Sequence, residues 1–586
     1  MEQKQFKYQK IAEEAILEVF QKDYFGLLAL PMPEVKFLTK DEENYRSGEY
    51  YISVGNNWQI HLNFGELPKN LKDFKEEVKV LTRHEIEHYQ TCPYDVIGQF
   101  RMIKRILETN KYHNNALPIN TISQLAGSIA NQIADVIIDT KNYYKFPLET
   151  LKSEINWIKK GSNVSFQSAS RNGKLMFLLK ETIWDKDLEL NESDFELLNK
   201  VKKVADKFEE SSITDSKSFL EKTESYTSLL LELIELDRND SKQQTQKQQG
   251  QNSENSQGQN TNSLIENGNE NNSQPQVPSN SIPSKDDSND SGQLIFQDPD
   301  KIESAINQLA QETSIEEFEL ILDISGIKLK DEKEKRKIWF EQNNVDAIPI
   351  ISKKSESSRN SLSYPSIWKI GDPIADLDLL LSLQTSPKIL PGITTKKWEQ
   401  QYSPEPLDEK TNSDLLLVID TSGSMGNYMD IKSPLHQTIL ASFGFIKFFE
   451  ERKGKIALIN FSSSPIVCDW TKDYDKIKDT LLINQGNSTN FPIHSIERLT
   501  ERKKEGTVAV IITDGDIQNW QKTLNILTEL CNLDNDVFLF LMDNKNAVNK
   551  YSELRNVGGF VEFASTVNDI RNVVFNQILK RIFILN

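Results

Sequence analysis

The chain has 586 residues, which at roughly 150 residues per domain predicts about four folding units and excludes a single small domain. Its 87 Asp and Glu outnumber 69 Lys and Arg, and a formal charge of −18 repels polyphosphate, so nucleic acid is excluded as the main partner. No stretch approaches the ~20 apolar residues that cross a bilayer, the opening MEQKQFKYQKIAEEA lacks the apolar core of a secretion signal, and Cys92, Cys468 and Cys531 lie too far apart for a disulfide framework; the expectation is a soluble, cytoplasmic protein without a membrane partner.

In chain order, residues 8–21 carry a helical pattern, and 35–38 and 50–54 are strand-like. Trp58, Ile60, Leu62 and Phe64 then alternate with Gln59, His61 and Asn63, the period-two signature of a strand with one buried face. In the helix that follows, Phe74, Val78, Leu81, His84, Glu85 and His88 recur at three- and four-residue spacing and share a face. Further helices are predicted over 122–144, 151–160, 175–184 and 195–208. Residues 238–293 are rich in Gln, Asn, Ser and Gly and too poor in apolar groups to bury a core, which predicts a disordered linker with a root-mean-square span of roughly 40 Å.

Beyond it, 300–340 reads as helical, and an irregular stretch with Pro365, Gly371, Pro373, Pro391 and Gly392 completes a connector over 294–407. From 408 the pattern changes to apolar strands (415–419, 456–461, 508–512, 537–542, 560–563) separated by amphipathic helices, with a last helix over 567–584. The fold class is therefore multidomain α/β: an α+β domain with a helical extension over 1–237, the linker, the connector, and a doubly wound parallel sheet over 408–586, whose ligands would sit beyond the carboxyl ends of the strands.

The segment from His84 to His88 is H-E-x-x-H on a predicted helix, where two imidazoles one turn apart project towards a single point. Two nitrogen donors on one helix face suit tetrahedral zinc, and Glu85 between them would lie at the open position, where a carboxylate can take a proton from water and pass it to a leaving amine. His61, His113, His436 and His494 offer no motif for a third ligand, so a carboxylate is expected. Asn131, Asp135 and Asp139 fall at i, i+4 and i+8 along an otherwise apolar helix; Asp135 is the chosen third ligand, with Asp139 or Asn131 orienting a ligand side chain. Cys92 reads as a buried, inert cysteine, with a thiolate ligand to the same metal as the alternative.

A strand followed by an HExxH helix resembles the zincin metallopeptidases, particularly the gluzincin branch, over about residues 35–139. The resemblance implies a zinc-dependent endopeptidase with Glu85 catalytic and His84, His88 and Asp135 on the metal, and it implies that 58–64 is an edge strand on which a peptide or protein substrate pairs. Gluzincins take their third ligand from a Glu followed four residues later by Asp; here the pairs are Asn131 with Asp135, or Asp135 with Asp139.

A second constellation begins at Asp420-Thr-Ser422-Gly-Ser424, at the carboxyl end of a buried strand. Thr489 in the G-N-S-T-N-F segment adds a hydroxyl, and Asp514 ends another apolar strand. An oxygen-only set with two carboxylates favours magnesium or manganese over zinc. These residues resemble the von Willebrand factor A domain and its metal-ion-dependent adhesion site, over about 414–586. The resemblance implies Mg2+ (or Mn2+) on Asp420, Ser422, Ser424, Thr489 and Asp514, completed by an acidic residue of a protein partner, and such domains imply a MoxR-type AAA+ ATPase as that partner. The expected function is a zinc endopeptidase joined to a protein-binding module; the alternative is a non-catalytic adaptor of such an ATPase with a structural or vestigial zinc.

Overall fold

The computed structural model describes residues 2–24, 34–38, 50–54, 58–63, 70–160 except 94, 169–209, 216–249, 299–344 except 328, 362–369, 372, 377–385, 388–400, and 414–570 except 502–506, 516, 518–519, 534, 543–544 and 546, together with 573. They form two units, 1–339 and 340–586.

The first unit opens with α1 (Glu2–Glu18), whose Tyr8, Ala12, Ala15 and Ile16 recur at helical spacing and are buried. Three strands follow: β1 (Glu34–Leu38), β2 (Tyr50–Val54) and β3 (Trp58–Asn63). Their order is β1-β3-β2, with β3 parallel to β1 and antiparallel to β2. The segment expected at the sheet edge is thus the central strand. Both its hydrogen-bonding sides are taken, so no added peptide can pair with it, and among the described residues β1 and β2 are the outer strands. Residue 64 lies outside the described residues.

Next comes α2 (Leu71–Gln90), capped by Asn70, whose side chain accepts a hydrogen bond from the Lys72 amide at 3.0 Å. Its buried stripe runs through Phe74, Val78, Thr82, Arg83, Ile86 and Glu87, and Tyr8 meets Phe74 edge-on at 4.8 Å between ring centres. Leu81, His84, Glu85 and His88 lie on the half-buried margin of that stripe. The HExxH side chains are thereby placed between core and solvent.

The helices α3 (Val96–Tyr112), α4 (Ile119–Lys145), α5 (Pro147–Lys160), α6 (Arg171–Trp184), α7 (Phe195–Glu209) and α8 (Ser216–Gln249) complete the bundle. On α4 every residue from Ile133 to Thr140 is buried, so this helix is enclosed on all sides and Asp135 and Asp139 are interior carboxylates. Glu87, fully buried, ties α2 to α4: it pairs with Lys141 at 2.6 Å and Lys145 at 3.0 Å and accepts from the Tyr24 hydroxyl at 3.0 Å. Helix α8 continues twelve residues past 237, where the sequence suggested the linker begins, and Arg171 holds it through Asp237 and Asp240. Residues 250–298 lie outside the described residues.

The chain resumes in α9 (Pro299–Glu312) and α10 (Ile315–Ile324), the latter capped by Ser314. Rather than forming a connector, both pack on the N-terminal bundle: α9 on α3, and α10 on α3 and α4. Arg101 makes two hydrogen bonds to the Glu312 carboxylate at 2.6 and 3.2 Å, and Lys111 pairs with Glu317 at 2.5 Å. Then α11 (Glu332–Asn343) carries the chain into the second unit.

The second unit begins with a small antiparallel sheet of β4 (Leu362–Ile367), β5 (Leu377–Asp378) and β6 (Lys396–Gln400), in the order β4-β6-β5, with α12 (Leu379–Thr385) between β5 and β6. Its main body contains β7 (Asp414–Asp420), α13 (Pro434–Glu451), β8 (Ile456–Phe461), β9 (Pro465–Thr471), α14 (Tyr474–Leu481), α15 (Ile493–Thr500), β10 (Thr507–Thr513), α16 (Trp520–Asn532), β11 (Asp536–Met542), α17 (Ala547–Lys550), α18 (Glu553–Asn556) and β12 (Phe560–Ala564). The order is β12-β11-β10-β7-β8-β9, parallel except for β9, an antiparallel edge strand absent from the sequence expectation. Strands β7, β8 and β10 read as continuous apolar runs because both faces are covered. Of the expected last helix, residues 567–570 are helical and most of the rest lies outside the described residues.

Arg101, hydrogen-bonded to Glu312, holds its carboxyl below the ordinary glutamate value of 4.5, so the contribution of this pair is complete above that value and is lost as pH falls through the lowered one. Both side chains are about a third exposed, and Glu312→Gln is expected to weaken the docking of α9 by about 0.5–1 kcal/mol. Hydrogen exchange in α9 should quicken roughly two- to five-fold at neutral pH, with the difference from wild type closing in acid.

Candidate metal centres

The first centre lies where the margin of α2 meets the interior helix α4. His84 and His88, one turn apart, bring their rings to 4.9 Å between centres at 85°. Their Nε2 atoms stand 3.5 and 3.3 Å from the same oxygen, Asp135 Oδ1. One donor atom from each of the three residues lies within 4.8 Å of the other two. Of the candidates for third partner the structure brings Asp135 to the pair, while Asp139 and Asn131 stand behind it. Asp139 Oδ1 accepts from His84 Nδ1 at 2.7 Å, and the Asn131 amide donates to Asp135 Oδ2 at 3.2 Å.

Each imidazole has its other nitrogen occupied. His88 Nδ1 donates to the Cys92 carbonyl at 3.1 Å, as His84 Nδ1 donates to Asp139, so in the neutral tautomer both rings turn an Nε2 lone pair towards Asp135. Asp135 Oδ1 is buried and makes no hydrogen bond. A buried carboxylate oxygen facing two imidazole nitrogens is satisfied either by a proton on one of the rings or by a cation held among the three donors. Two nitrogens and a carboxylate oxygen fit zinc, with a fourth position left for water or substrate.

Charge follows the same geometry. Burial opposes a charge on His84, but Asp139 and Asp135 outweigh it and, without a metal, hold its pKa well above that of an ordinary imidazole. Burial would raise Asp135, yet the two histidines lower it. Glu85 is raised by burial, partly offset by His88 and His84. Metal binding at such a site displaces protons and is pH-dependent. The Cys92 thiol is fully buried and pushed well up by burial, and it is not part of the donor group; its contribution is the backbone carbonyl that orients His88.

Sequence reasoning missed Lys180 on α6. Its ammonium is nearly buried, 2.6 Å from Asp139 Oδ2 and 2.9 Å from Glu154 Oε1. The only sequence signal was a lysine within a run of core residues, from Leu175 to Trp184.

The second centre sits in the other unit at the carboxyl ends of β7 and β10. From β7 the chain moves outward to β8 and β9 on one side, then returns through β10 to build the other, so these adjacent strands flank the point where strand order reverses. Asp420 ends β7 and is fully buried. Its Oδ1 accepts from the Ser422 amide at 2.9 Å and its Oδ2 from the Thr513 hydroxyl at 2.7 Å, while Ser422 Oγ and Ser424 Oγ lie 3.1 Å apart. Asp514 follows Thr513 directly and is half-buried.

Thr489 is half-buried on a loop stitched to this turn. The Gly423 amide donates to the Asn487 carbonyl at 2.9 Å and the Gly486 amide to the Thr421 carbonyl at 3.0 Å. The approach is close enough that a Cβ at Gly423 would lie 3.1 Å from the Gly486 oxygen, and Gly486 itself has φ +66°. Buried Asn460 locks the same loops: it accepts from Thr421 Oγ1 at 2.6 Å and donates to the Thr480 and Ile483 carbonyls at 3.0 and 2.7 Å. Burial raises the Asp420 carboxyl, and the nearby Asp514 charge adds to the rise even though Ser422 and Thr513 oppose it. Two carboxylates and a set of hydroxyls with no basic side chain in the motif fit a hard divalent cation such as Mg2+ or Mn2+.

Thr513 thus belongs to this centre although no motif singled it out. Thr513→Val should leave Asp420 Oδ2 unsupported and weaken Mn2+ binding about tenfold, measured by calorimetric titration of the whole chain against wild type.

Residues 415–516 match the family model of the von Willebrand factor type A domain. Among solved structures the chain is similar to the crystal structure of the SpRpn10 VWA domain, with 14% identity over 28% of this chain and 93% of that one and a TM-score of 0.23. It is also similar to the open conformation of the pilus adhesin SpaC from Lactobacillus rhamnosus GG, with 14% identity over 29% of this chain and 30% of that one and a TM-score of 0.24. Comparison with curated proteins finds no match. The family match, taken with the sheet and its oxygen-lined switch point, identifies residues 415–516 as a von Willebrand factor type A domain.

Proposed function

We propose that the chain is a zinc-dependent peptide hydrolase whose type A domain engages a protein partner. The hydrolase reading is carried by one observation: His84 Nε2, His88 Nε2 and Asp135 Oδ1 converge, with each imidazole held from behind by a fixed acceptor. His84, His88 and Asp135 would hold the ion. Zinc bound there supplies Lewis acidity towards a peptide carbonyl and acidifies water.

The residues supply the remaining steps. Glu85 sits between the two histidines on the half-buried margin of α2, where substrate can reach it. Its carboxylate takes a proton from the attacking water and returns it to the leaving amine, and burial, which raises its pKa, makes it the stronger base for the first of these transfers. The fixed tautomers of His84 and His88 remove the reorganisation that free imidazoles would need. A substrate chain pairs with an outer strand of the three-stranded sheet, β1 or β2, since β3 is paired on both sides.

In the type A domain, Asp420, Ser422, Ser424, Thr489 and Asp514 would hold Mg2+ or Mn2+, leaving room for a carboxylate from the partner. A MoxR-type ATPase is the partner class that the domain's resemblance favours. A weakly neutralised hard cation prefers an incoming carboxylate over a neutral oxygen, so the partner should present an acidic side chain.

Purified protein is expected to carry one zinc per chain, lost in His84→Ala. Glu85→Gln should retain the zinc and cut casein hydrolysis by at least ~100-fold. Unchanged cleavage by Glu85→Gln overturns the catalytic assignment; bound zinc with no cleavage by wild type favours the adaptor reading. For the type A domain, Asp420→Ala should abolish Mg2+-dependent capture of a purified MoxR-type ATPase, and equal capture in chelator overturns the metal-bridged contact.

A further inference from the structure

Behind the first centre, three helices bring three charged side chains to one buried point. Asp139 comes from α4, Glu154 from α5 and Lys180 from α6, and Lys180 Nζ lies 2.6 Å from Asp139 Oδ2 and 2.9 Å from Glu154 Oε1. The Lys180 side chain is 3% exposed and the two carboxylates 12% and 13%, so all three stand out of water. The other oxygen of Asp139 accepts from His84 Nδ1 at 2.7 Å. Asp139 is thus gripped at both ends, by an imidazole on one oxygen and an ammonium on the other.

We propose that Lys180 is a positioning residue of this centre: by fixing Asp139 from behind, it fixes the plane in which His84 presents Nε2 to a metal. The proposal rests on the metal-centre reading above and deepens it. A carboxylate held only by an imidazole can turn about its Cβ–Cγ bond, and His84 turns with it. A second charge-assisted hydrogen bond on the opposite oxygen removes that rotation. Burial alone does not require this arrangement, because Glu154 by itself would satisfy a buried ammonium with a salt bridge. What the second contact adds is a rigid path from α6 through Asp139 to a metal-facing nitrogen on α2. Glu154 then serves to balance the lysine so that Asp139 keeps its negative charge for His84.

The test uses the full chain and Zn2+ alone, with affinity read by competition against a chromophoric chelator and site geometry read from the visible spectrum of the Co2+ form. Lys180→Met orphans two buried carboxylates and can unfold the unit, so the decisive variant is Lys180→Met/Glu154→Gln, which removes the ammonium together with the charge it balances. It is expected to bind Zn2+ 10- to 100-fold more weakly and to shift the Co2+ spectrum, with its thermal midpoint in chelator within a few degrees of wild type. Glu154→Gln alone should bind within about threefold of wild type, and Lys180→Arg, which keeps charge and donors, should restore most of the affinity.

A folded Lys180→Met/Glu154→Gln with wild-type affinity and spectrum overturns the proposal, as does an equal loss in Glu154→Gln alone. If His84→Ala binds Zn2+ as tightly as wild type, the metal-centre reading itself has failed; if His84→Ala loses the metal and the double variant does not, only the role of Lys180 has failed.

Discussion

The first unit depends on how it accommodates negative charge in its interior. Asp135 and Asp139 occupy a helix buried on every side, and the effective cost of placing a carboxylate there is on the order of several kcal/mol before any partner is counted. Asp139 meets that cost with Lys180 and His84, and Glu87 meets it with Lys141 and Lys145. Asp135 keeps a buried oxygen without a hydrogen bond, directed at two imidazole nitrogens. Such an atom calls for a positive partner, and the two imidazoles that α2 brings to it stand where a proton or a cation would supply one.

The two centres differ in donor chemistry and in how they are built. The N-terminal one draws nitrogen and oxygen donors from two helices and fixes each ring by a contact on its far side, a cage whose rigidity comes from helix packing. The one in the type A domain is all oxygen and comes from loops, and its order comes from backbone hydrogen bonds that sew the loop of Ser422 to that of Asn487 and from buried Asn460 beneath them. Softer nitrogen donors suit zinc; hydroxyls and carboxylates on a half-buried rim suit a hard ion.

The division of the chain also follows from packing. The Gln- and Asn-rich segment separates the N-terminal bundle from the rest in sequence, yet α9 and α10 beyond it complete that bundle through Arg101, Lys111 and the apolar face of α10. Without them α3 and α4 would expose the surface those helices cover. The first unit is therefore built from both sides of the interruption.

Much of this was legible in one dimension because it is periodic. The strands of the type A domain, the HExxH helix and the long helix of Asp135 follow from apolar spacing, and the paired histidines and the D-x-S-x-S turn follow from residue types that few other roles require at that spacing. Three features were decided only in three dimensions. Sheet order made β3 central, since hydrogen-bond pairing joins strands without regard to their sequence neighbours. The choice of Asp135 over Asp139 depended on helical rotation: residues four apart share a face, and only the packing of α4 on α2 determines which turn reaches the imidazoles and which stands behind them. Lys180 and the Cys92 carbonyl carry no motif, because a buried ammonium and a backbone oxygen acquire their roles from what the fold brings beside them.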